Sequence, residues 1–257
     1  MSLQVLVATI EQTDHSLLQK MNIQSDVIVG NQCSHNSIEE FAYNGHRAVY
    51  LNFAERGVGL NRNNALLRAN SEICVFADDD IEFFNDYPRI IEEAFANNPK
   101  ADVIIFNLLE QNSERKQIKK KTNIGRLNYL RYGTARIAVR LESIKRNAIY
   151  FNEYFGGGTV YCHGEDNLFL TECLNKRLRI VGLPITIAYL HNDRQSTWNN
   201  GYTLKYLVDQ GYLYQAISKK WWKFLCFQDC VRRHKSYGLS IRQSYKIMTH
   251  KCSVPKE

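Results

Sequence analysis

The chain lacks several features that mark well-defined classes of protein. It has no run of roughly 20 uncharged apolar residues, the length that a helix needs to cross a bilayer. Its seven cysteines are an odd number and include no Cys-x-x-Cys pair, which argues against a disulfide framework, a zinc site or a dithiol redox site. Residues 1–10 lack the basic start and long apolar core of a signal peptide. We therefore expect a cytoplasmic protein.

Acidic residues are scarce at one end of the chain. The 257 residues carry a net charge of +7, and residues 203–257 alone hold 11 Lys/Arg and 3 Asp/Glu, a net of +8. The remaining 22 basic and 23 acidic residues give a net of −1. This asymmetry predicts an appended surface that meets something anionic. It argues against a non-catalytic nucleic-acid-binding protein, which the sequence pI of about 9.0 would otherwise favour.

Strand-like and helix-like patterns alternate through the first half of the chain. The strand patterns lie at residues 4–9, 26–30, 48–52, 73–77 and 102–107, and the helix patterns at 14–21, 59–69 and 87–96. This alternation predicts an α/β fold with a mostly parallel, doubly wound sheet flanked by helices. A weak strand at 135–139 and a helix at 141–147 follow, and then a glycine triplet at 156–158. The triplet predicts a tight turn or a close backbone approach.

Three aspartates follow a buried strand pattern, since residues 73–80 read ICVFADDD. Adjacent carboxylates repel one another, but Mg²⁺ and Mn²⁺ prefer oxygen ligands, usually one or two carboxylates completed by substrate phosphates. Ligands of open α/β sheets bind at the carboxyl ends of the strands. The aspartates therefore indicate a metal–diphosphate site, and the alternative is a solvated acidic turn.

Three further features have a functional and a structural interpretation each. Arg62 lies in a helix start preceded by glycines, where backbone N–H groups and a guanidinium suit a phosphate or the acidic cluster. Glu165 and Asp166 begin an apolar helix. A carboxylate there acts as a general base, or the two acidic residues only interact favourably with the helix dipole. His191 follows the apolar run 185–190, where it is a metal ligand or a surface residue.

The order of these motifs resembles the family-2 inverting glycosyltransferases of GT-A fold. Residues 59–69 read GLNRNNALLRA, the aspartate triplet takes the place of the family's DxD motif, and residues 164–166 read GED. The resemblance covers about residues 4–198. It implies a Rossmann-like GT-A catalytic domain at 1–202, followed by a helical, basic and aromatic extension at 203–257.

The resemblance also implies roles for individual residues. Asp78, Asp80 and His191 would bind Mn²⁺ or Mg²⁺, and Asp166 would be the base, with Glu165 beside it. The donor contacts implied are Thr9, Ile10, Glu11, Asn31, Arg62, Asp78, Asp79 and Asp80. The predicted acceptor contacts are Gly157, Gly158 and Trp198, and Trp198 either stacks on a sugar face or only packs within the protein.

The implied reaction is metal-dependent transfer of one sugar, with inversion, from a nucleotide sugar to a hydroxyl of a glycan or lipid-linked acceptor. A UDP-sugar is the family expectation. Two segments depart from the family: residues 31–34 read NQCS where acidic residues are usual, and 194–198 (RQSTW) match only partly the Q/R-x-x-R-W signature of processive synthases. An alternative is a sugar-nucleotide nucleotidyltransferase. It would need a glycine-rich, basic loop after the first strand, whereas residues 9–13 read TIEQT.

Aromatic residues alternate with cations in residues 203–257, and a helix is predicted over 215–234. Trp and Tyr suit membrane interfaces, and nearby Lys and Arg are attracted to anionic lipid. One hypothesis is peripheral attachment to the inner face of the cytoplasmic membrane. The other is an extension that buries its aromatic side chains on the catalytic domain. The sequence leaves both open.

Overall fold

The computed structural model describes residues 1–110, 117–191 and 201–250. The strands are β1 (Leu3–Ile10), β2 (Asp26–Gln32), β3 (Ser37–Tyr43), β4 (His46–Phe53), β5 (Ile73–Asp78), β6 (Ile81–Phe83), β7 (Val103–Glu110), β8 (Thr122–Ile124), β9 (Ile137–Arg140) and β10 (Ile180–Leu190). The helices are α1 (Ser16–Lys20), α2 (Val58–Arg68), α3 (Tyr87–Ala96), α4 (Leu141–Arg146), α5 (Glu165–Asn175), α6 (Leu204–Ile217), α7 (Trp222–Tyr237) and α8 (Ile241–Met248).

One sheet of ten strands forms the centre of the fold, in the order β3-β4-β2-β1-β5-β9-β7-β10-β6, with β8 also paired to β10. The run β4-β2-β1-β5 is parallel, as the sequence predicts. The other half is mixed, because β9 lies antiparallel between β5 and β7, and β6 pairs antiparallel with β10. The α/β prediction is confirmed, while the described sheet is mixed, since β3 is antiparallel to β4 at one edge and β7 is parallel to β10 in the other half.

Two apolar layers cover the sheet, one on each face. The first contains the inward side chains of α1 and α3, such as Leu18 and Phe95, and the second those of α2 and α5, such as Leu66 and Phe169. Strands buried on both faces need continuous apolar runs, which is why the β1 and β5 segments show no alternation. Because β1, β2, β4 and β5 are parallel, their carboxyl ends meet at one edge of the sheet. This edge is left open between the two apolar layers.

Several elements differ from the sequence prediction. The helix predicted at 14–21 is only five residues long, and Asp14 accepts a hydrogen bond from the Ser16 amide just before it. Strand β3 is absent from the sequence prediction, because its largely exposed side chains give no apolar run. The helix predicted over 215–234 is two helices, since α6 ends at Ile217 and α7 begins at Trp222.

The C-terminal helices α6, α7 and α8 pack on one another around their own small core. Thr203 caps α6 by accepting from the Tyr206 amide, and Ser240 and Gln243 form a capping box at α8. Cys226 and Cys230 are buried in this core, as small apolar side chains. Within the described ranges, no helix has the length and apolar character to span a bilayer.

Candidate active site

The aspartate triplet lies where β5 leaves the sheet. Asp78 is the last residue of β5 and pairs in register with Ala8 of β1, so the next residues of both strands meet at the open edge. There the Thr9 hydroxyl donates to the Asp79 carboxylate at 2.6 Å. Asp79 and Asp80 form the turn into β6. The structure thus brings Thr9 and the triplet together at the carboxyl ends of two neighbouring strands.

Arg62 connects the triplet to the start of α5. It projects from α2, is only 4% exposed, and donates to Asp78 Oδ1 at 2.6 Å and to Glu165 Oε1 at 2.9 Å. Burial alone would lower the pKa of the guanidinium, but Asp78 and Glu165 outweigh that cost and raise it. Two carboxylates from distant parts of the chain thus share one buried cation. The hydrogen bonds of the Arg62 guanidinium to Asp78 and Glu165 therefore hold it within the acidic cluster.

Asp166 lies beside Glu165 at the start of α5, and of these two carboxylates it is the one without an ion pair to Arg62. Its Oδ1 accepts from the Asn167 amide at 2.7 Å. Burial and the neighbouring Glu165 raise the pKa of Asp166 from 3.8 to about 7, against the opposing effects of the Asn167 amide hydrogen bond and of Arg62. A carboxylate with a pKa near neutrality is suited to accept and release a proton.

The glycine turn packs against the starts of both α2 and α5. Gly156 has a φ of +106°, and a Cβ there would lie 2.7 Å from Glu165 Oε2. The Gly157 carbonyl accepts from the Val58 amide at 3.0 Å. The packing therefore requires glycine at position 156. The sequence prediction assigns no role of its own to this residue of the glycine triplet at 156–158. The acceptor role of Gly157 and Gly158 stays a prediction.

His191 follows β10 directly, and a backbone hydrogen bond places it beside the aspartate triplet. Its amide donates to the Asp80 carbonyl at 2.9 Å, and its Nε2 lies 2.7 Å from Glu82 Oε2. Within the described ranges, no group of three His, Cys, Asp or Glu side chains is arranged to hold a metal ion. Trp198 lies outside the described residues.

A cavity of about 530 Å³ opens at the same edge, beyond the ends of β1 and β2. Its walls are residues 11–15 and 33–35, together with Glu39, Tyr50 and Asn52. Glu11 stands at its rim with a φ of +51° and an ion pair to Arg56 of 2.7 Å. Ile10 ends β1 just before it. The hydroxyl of Tyr50 is buried and has no hydrogen-bond partner among the described residues, so this polar atom suits a ligand group.

The side chain of Asn31 is occupied by contacts within the protein. Asn31 is fully buried, and its amide nitrogen donates to the Gln12 carbonyl and to Asn52 Oδ1. Its Oδ1 accepts from the Gln12 amide at 3.0 Å. Both N–H donors of this side chain therefore hold the loop after β1 and the neighbouring strand. A direct contact of Asn31 with a donor stays a prediction, and it would use the second lone pair of Oδ1 or exchange one of these hydrogen bonds.

Helix α6 packs against the segment that precedes Glu165 and Asp166. Asp209 accepts from the Cys162 amide at 2.9 Å and from Lys205 Nζ at 2.6 Å. The His163 ring lies 2.9 Å from Gln210 Oε1. The first helix of the predicted extension thus positions the start of α5, a role for which the sequence holds no local motif.

Comparisons with known proteins agree with this geometry. Residues 7–165 match the model of "Glycosyl transferase family 2". No curated protein matches the chain significantly. The chain is similar in fold to S. aureus TarS 1–349 in complex with UDP-GlcNAc, with a TM-score of 0.64 and 14% identity over 98% of this chain and 91% of that one. The TarS 1–349 complex with UDP gives 0.62 and 17% over the same shares.

The likeness to TarS concerns the fold, since the identities are low. The family assignment has a separate basis, because the matched segment covers more than half of the 257 residues and runs from β1 to the start of α5. It ends at Glu165, after the triplet and Arg62. We therefore conclude that this chain belongs to glycosyl transferase family 2 and is a glycosyltransferase of GT-A fold.

Proposed function

We propose that the protein transfers one sugar, with inversion, from a UDP-sugar to a hydroxyl of a glycan or lipid-linked saccharide, and that it requires Mn²⁺ or Mg²⁺. The observation that carries this proposal is the Arg62 bridge between Asp78 and Glu165. Through this bridge the triplet and Asp166 lie at one site, although they come from different parts of the chain. A leaving-group site and a proton acceptor would therefore share the same sheet edge.

The cavity beside Thr9 and Glu11 is the proposed nucleoside site. It lies at the carboxyl ends of parallel strands, where nucleotides bind in open α/β sheets. The TarS structures of similar fold contain UDP-GlcNAc and UDP, which supports a uridine nucleotide here. Cys33 and Ser34 line the wall where the family usually has acidic residues, while Glu11, Asp14 and Glu39 bring carboxylates to the cavity from other segments.

The triplet fits a hard divalent cation by its chemistry, since it offers carboxylate oxygens at a turn. Such ions need only one or two protein carboxylates when phosphate oxygens complete their coordination. Asp80 and Asp78 would hold the ion, with His191 near Asp80. When bound, the ion would act as a Lewis acid that stabilises the charge of the departing diphosphate.

Asp166 is the proposed general base. It would accept the proton of the acceptor hydroxyl while that oxygen bonds to the anomeric carbon. The bond between that carbon and the diphosphate oxygen breaks, and its electron pair leaves with the nucleoside diphosphate. Because a single displacement enters opposite the leaving group, the anomeric configuration inverts. The raised pKa of Asp166 supports this role.

A thermal-shift panel tests the proposed donor. UDP-, GDP-, CMP- and dTDP-sugars are each added with and without Mn²⁺, and the UDP-sugar with Mn²⁺ is expected to raise the melting temperature most. Binding to the native state alone stabilises it by about 2.7 kcal/mol at a ligand concentration about 100 times Kd. The proposal fails if no nucleotide sugar shifts the transition, with or without metal.

The nucleotidyltransferase alternative predicts different products. It requires binding of a nucleoside triphosphate and a sugar phosphate, and release of pyrophosphate. The proposed transferase instead releases UDP in the presence of an acceptor. Coupled assays for UDP and for pyrophosphate therefore separate the two reactions.

Tyr50→Phe tests the cavity by removing one buried hydroxyl. Without ligand the variant is expected to melt at the same or a higher temperature, because an unpaired buried hydroxyl is costly. Its affinity for UDP is expected to fall roughly 3- to 10-fold, the value of one lost hydrogen bond. Isothermal calorimetry measures this affinity.

Tyr129→Phe is the matched control for this variant. The Tyr129 hydroxyl pairs with Thr171 at 2.8 Å in the core, away from the cavity lining. This control should lower stability and leave UDP affinity unchanged. Equal UDP affinity of Tyr50→Phe and the unmodified protein would remove Tyr50 from the binding site.

A further inference from the structure

Helix α7 carries large apolar side chains on its outward face as well as on its buried one. Its inward side packs Cys226, Cys230 and Tyr237 against α6 and α8. On the opposite side Trp221, just before the helix, and Phe224, Phe227 and Val231 within it are 58%, 59%, 50% and 44% exposed. We refer to these four residues as the α7 ridge. Their spacing of three and four residues aligns them on one side of the helix.

Exposed large apolar side chains are ordinary when scattered, but a contiguous row marks an interaction surface. The sequence pattern of residues 203–257 leaves membrane attachment and packing on the catalytic domain open as alternatives. In the structure, helix α6 packs on the catalytic domain, and helix α7 carries the exposed ridge. Tyr206 of α6 stacks on the His163 ring of the catalytic domain, and Tyr212 of α6 packs at a tilt against the Tyr161 ring. Of the α7 ridge, Phe227 meets the Tyr245 ring of α8 edge to face, and within the part of the chain that the structure describes all four side chains stay at least 44% exposed.

The exposed Lys, Arg, Asp and Glu side chains of residues 219–235 are all cations. The exposed cations are Lys219, Lys220, Lys223, Arg232 and Lys235. The one acidic residue between 219 and 235 is Asp229, which is buried and pairs with Arg233 and Tyr237. Lys220 lies over the Trp221 ring at 5.4 Å, so a cation and an indole lie side by side at the surface. This surface is complementary to an anionic, partly apolar partner.

We propose that the α7 ridge docks the protein on a bilayer of anionic phospholipid. The ridge side chains would enter the boundary between headgroups and acyl chains, as in interfacial helices, and Trp221 would lie at headgroup depth. The surrounding lysines would face the lipid phosphates, each contributing about fivefold to partitioning. A second copy of the chain is a poorer occupant, because twofold pairing of this face would oppose its cations.

Vesicle flotation without any sugar nucleotide tests the proposal. The intact chain is expected to float with vesicles of phosphatidylcholine and phosphatidylglycerol, to stay behind with phosphatidylcholine alone, and to detach as salt is raised. The double variant F224S/F227S should lose about tenfold or more of this partitioning. Both side chains are at least half exposed, and Phe227 meets the Tyr245 ring of α8 edge to face, so the melting temperature should fall by no more than a few degrees.

Two matched controls separate the ridge from general surface effects. Leu127→Ser alters a side chain that is 99% exposed outside the ridge, and it should float like the intact chain. K219Q/K223Q should weaken flotation, whereas K20Q/K100Q, with both lysines exposed elsewhere, should not.

Three results would overturn the proposal. The first is equal flotation of the F224S/F227S variant and the intact chain. The second is a vesicle-independent oligomer that this variant dissociates, which would make the ridge a self-interface. The third is salt-sensitive DNA binding that needs the ridge, with no vesicle binding. Because no donor is present, the result is independent of the proposed transferase activity.

Discussion

Asp166→Asn is expected to reduce sugar transfer at least about 100-fold while leaving UDP-sugar binding intact. Asparagine keeps the size of the side chain but cannot accept the acceptor's proton. The donor contacts proposed at Thr9, the triplet and the cavity are untouched by this change. Single-turnover transfer and calorimetric titration with the donor measure the two properties separately. Normal turnover in this variant would remove Asp166 from the role of base.

The same substitution is expected to stabilise the fold above neutral pH. Burial and Glu165 raise the pKa of Asp166 to about 7, so the folded protein retains a proton that the unfolded chain releases at about pH 4. Stability therefore falls as the pH rises from about 4 to about 7, because the native state binds more protons in that window. An asparagine at this position carries no charge at any pH. The variant should therefore melt a few degrees higher than the unmodified protein well above pH 7, and the difference should vanish in acid.

Glu165→Gln is the matched control for that stability effect, because it changes the adjacent carboxylate of the same helical turn. Glu165 is paired with Arg62 at 2.9 Å, so its neutralisation loses an ion pair and should lower the melting temperature in mild alkali. Opposite signs for the two neighbours are the expected result. A lower melting temperature for both variants under these conditions would contradict the burial of an uncompensated charge at Asp166.

Arg62→Met is expected to produce the largest loss of stability. It removes a buried cation and leaves Asp78 and Glu165 facing each other without their shared partner. Removing one partner of a buried ion pair costs about 3 kcal/mol or more, and Asp78, at 39% exposure, is the less costly of the two to leave unpaired. Transfer activity should also be lost, because the start of α5 is no longer fixed to the triplet. Urea unfolding measures the stability change.

Arg68→Met, on the same helix, is the matched control. Arg68 is exposed and donates to Asn64 of its own helix, with its guanidinium over Phe53, so its loss should cost less than about 0.5 kcal/mol. Arg62→Lys should fall between the two, because an ammonium keeps the charge but cannot fork between two carboxylates. Equal stability of the Arg62 and Arg68 methionine variants would show that the bridge is not structural.

The strands of the catalytic domain, and the motifs at their ends, are predictable where the sequence has a strong local pattern of apolar residues. An unbroken apolar run that is bounded by polar residues indicates an element buried on all sides, so β1 and β5 are predicted to within about one residue at each end. The polar residues at the ends of these strands then lie at one edge of a parallel sheet. That reasoning predicts a ligand-binding edge at the aspartate triplet, whereas the role of Thr9 is implied only by the resemblance to the family.

Roles that depend on partners distant in sequence are not predictable in this way. Asn31 lies in β2 at the proposed donor edge, yet Gln12 and Asn52 take up both of its N–H donors. Gly156, rather than its two neighbours, is the glycine that the packing requires, because only the folded chain brings Val58 and Glu165 around it. The hydrogen bond from the residue 162 amide to helix α6 has no local signature at all.

The amino-acid sequence by itself determined the alternation of strands and helices, the acidic edge and the basic character of residues 203–257. These properties follow from periodicity and charge, which act between near neighbours. Only the tertiary structure decided which of Glu165 and Asp166 pairs with Arg62, which glycine is indispensable, and which aromatic residues of the C-terminal helices stay exposed. Those outcomes depend on burial and on hydrogen bonds between residues far apart in the chain, such as Arg62 and Glu165, which local patterns do not encode.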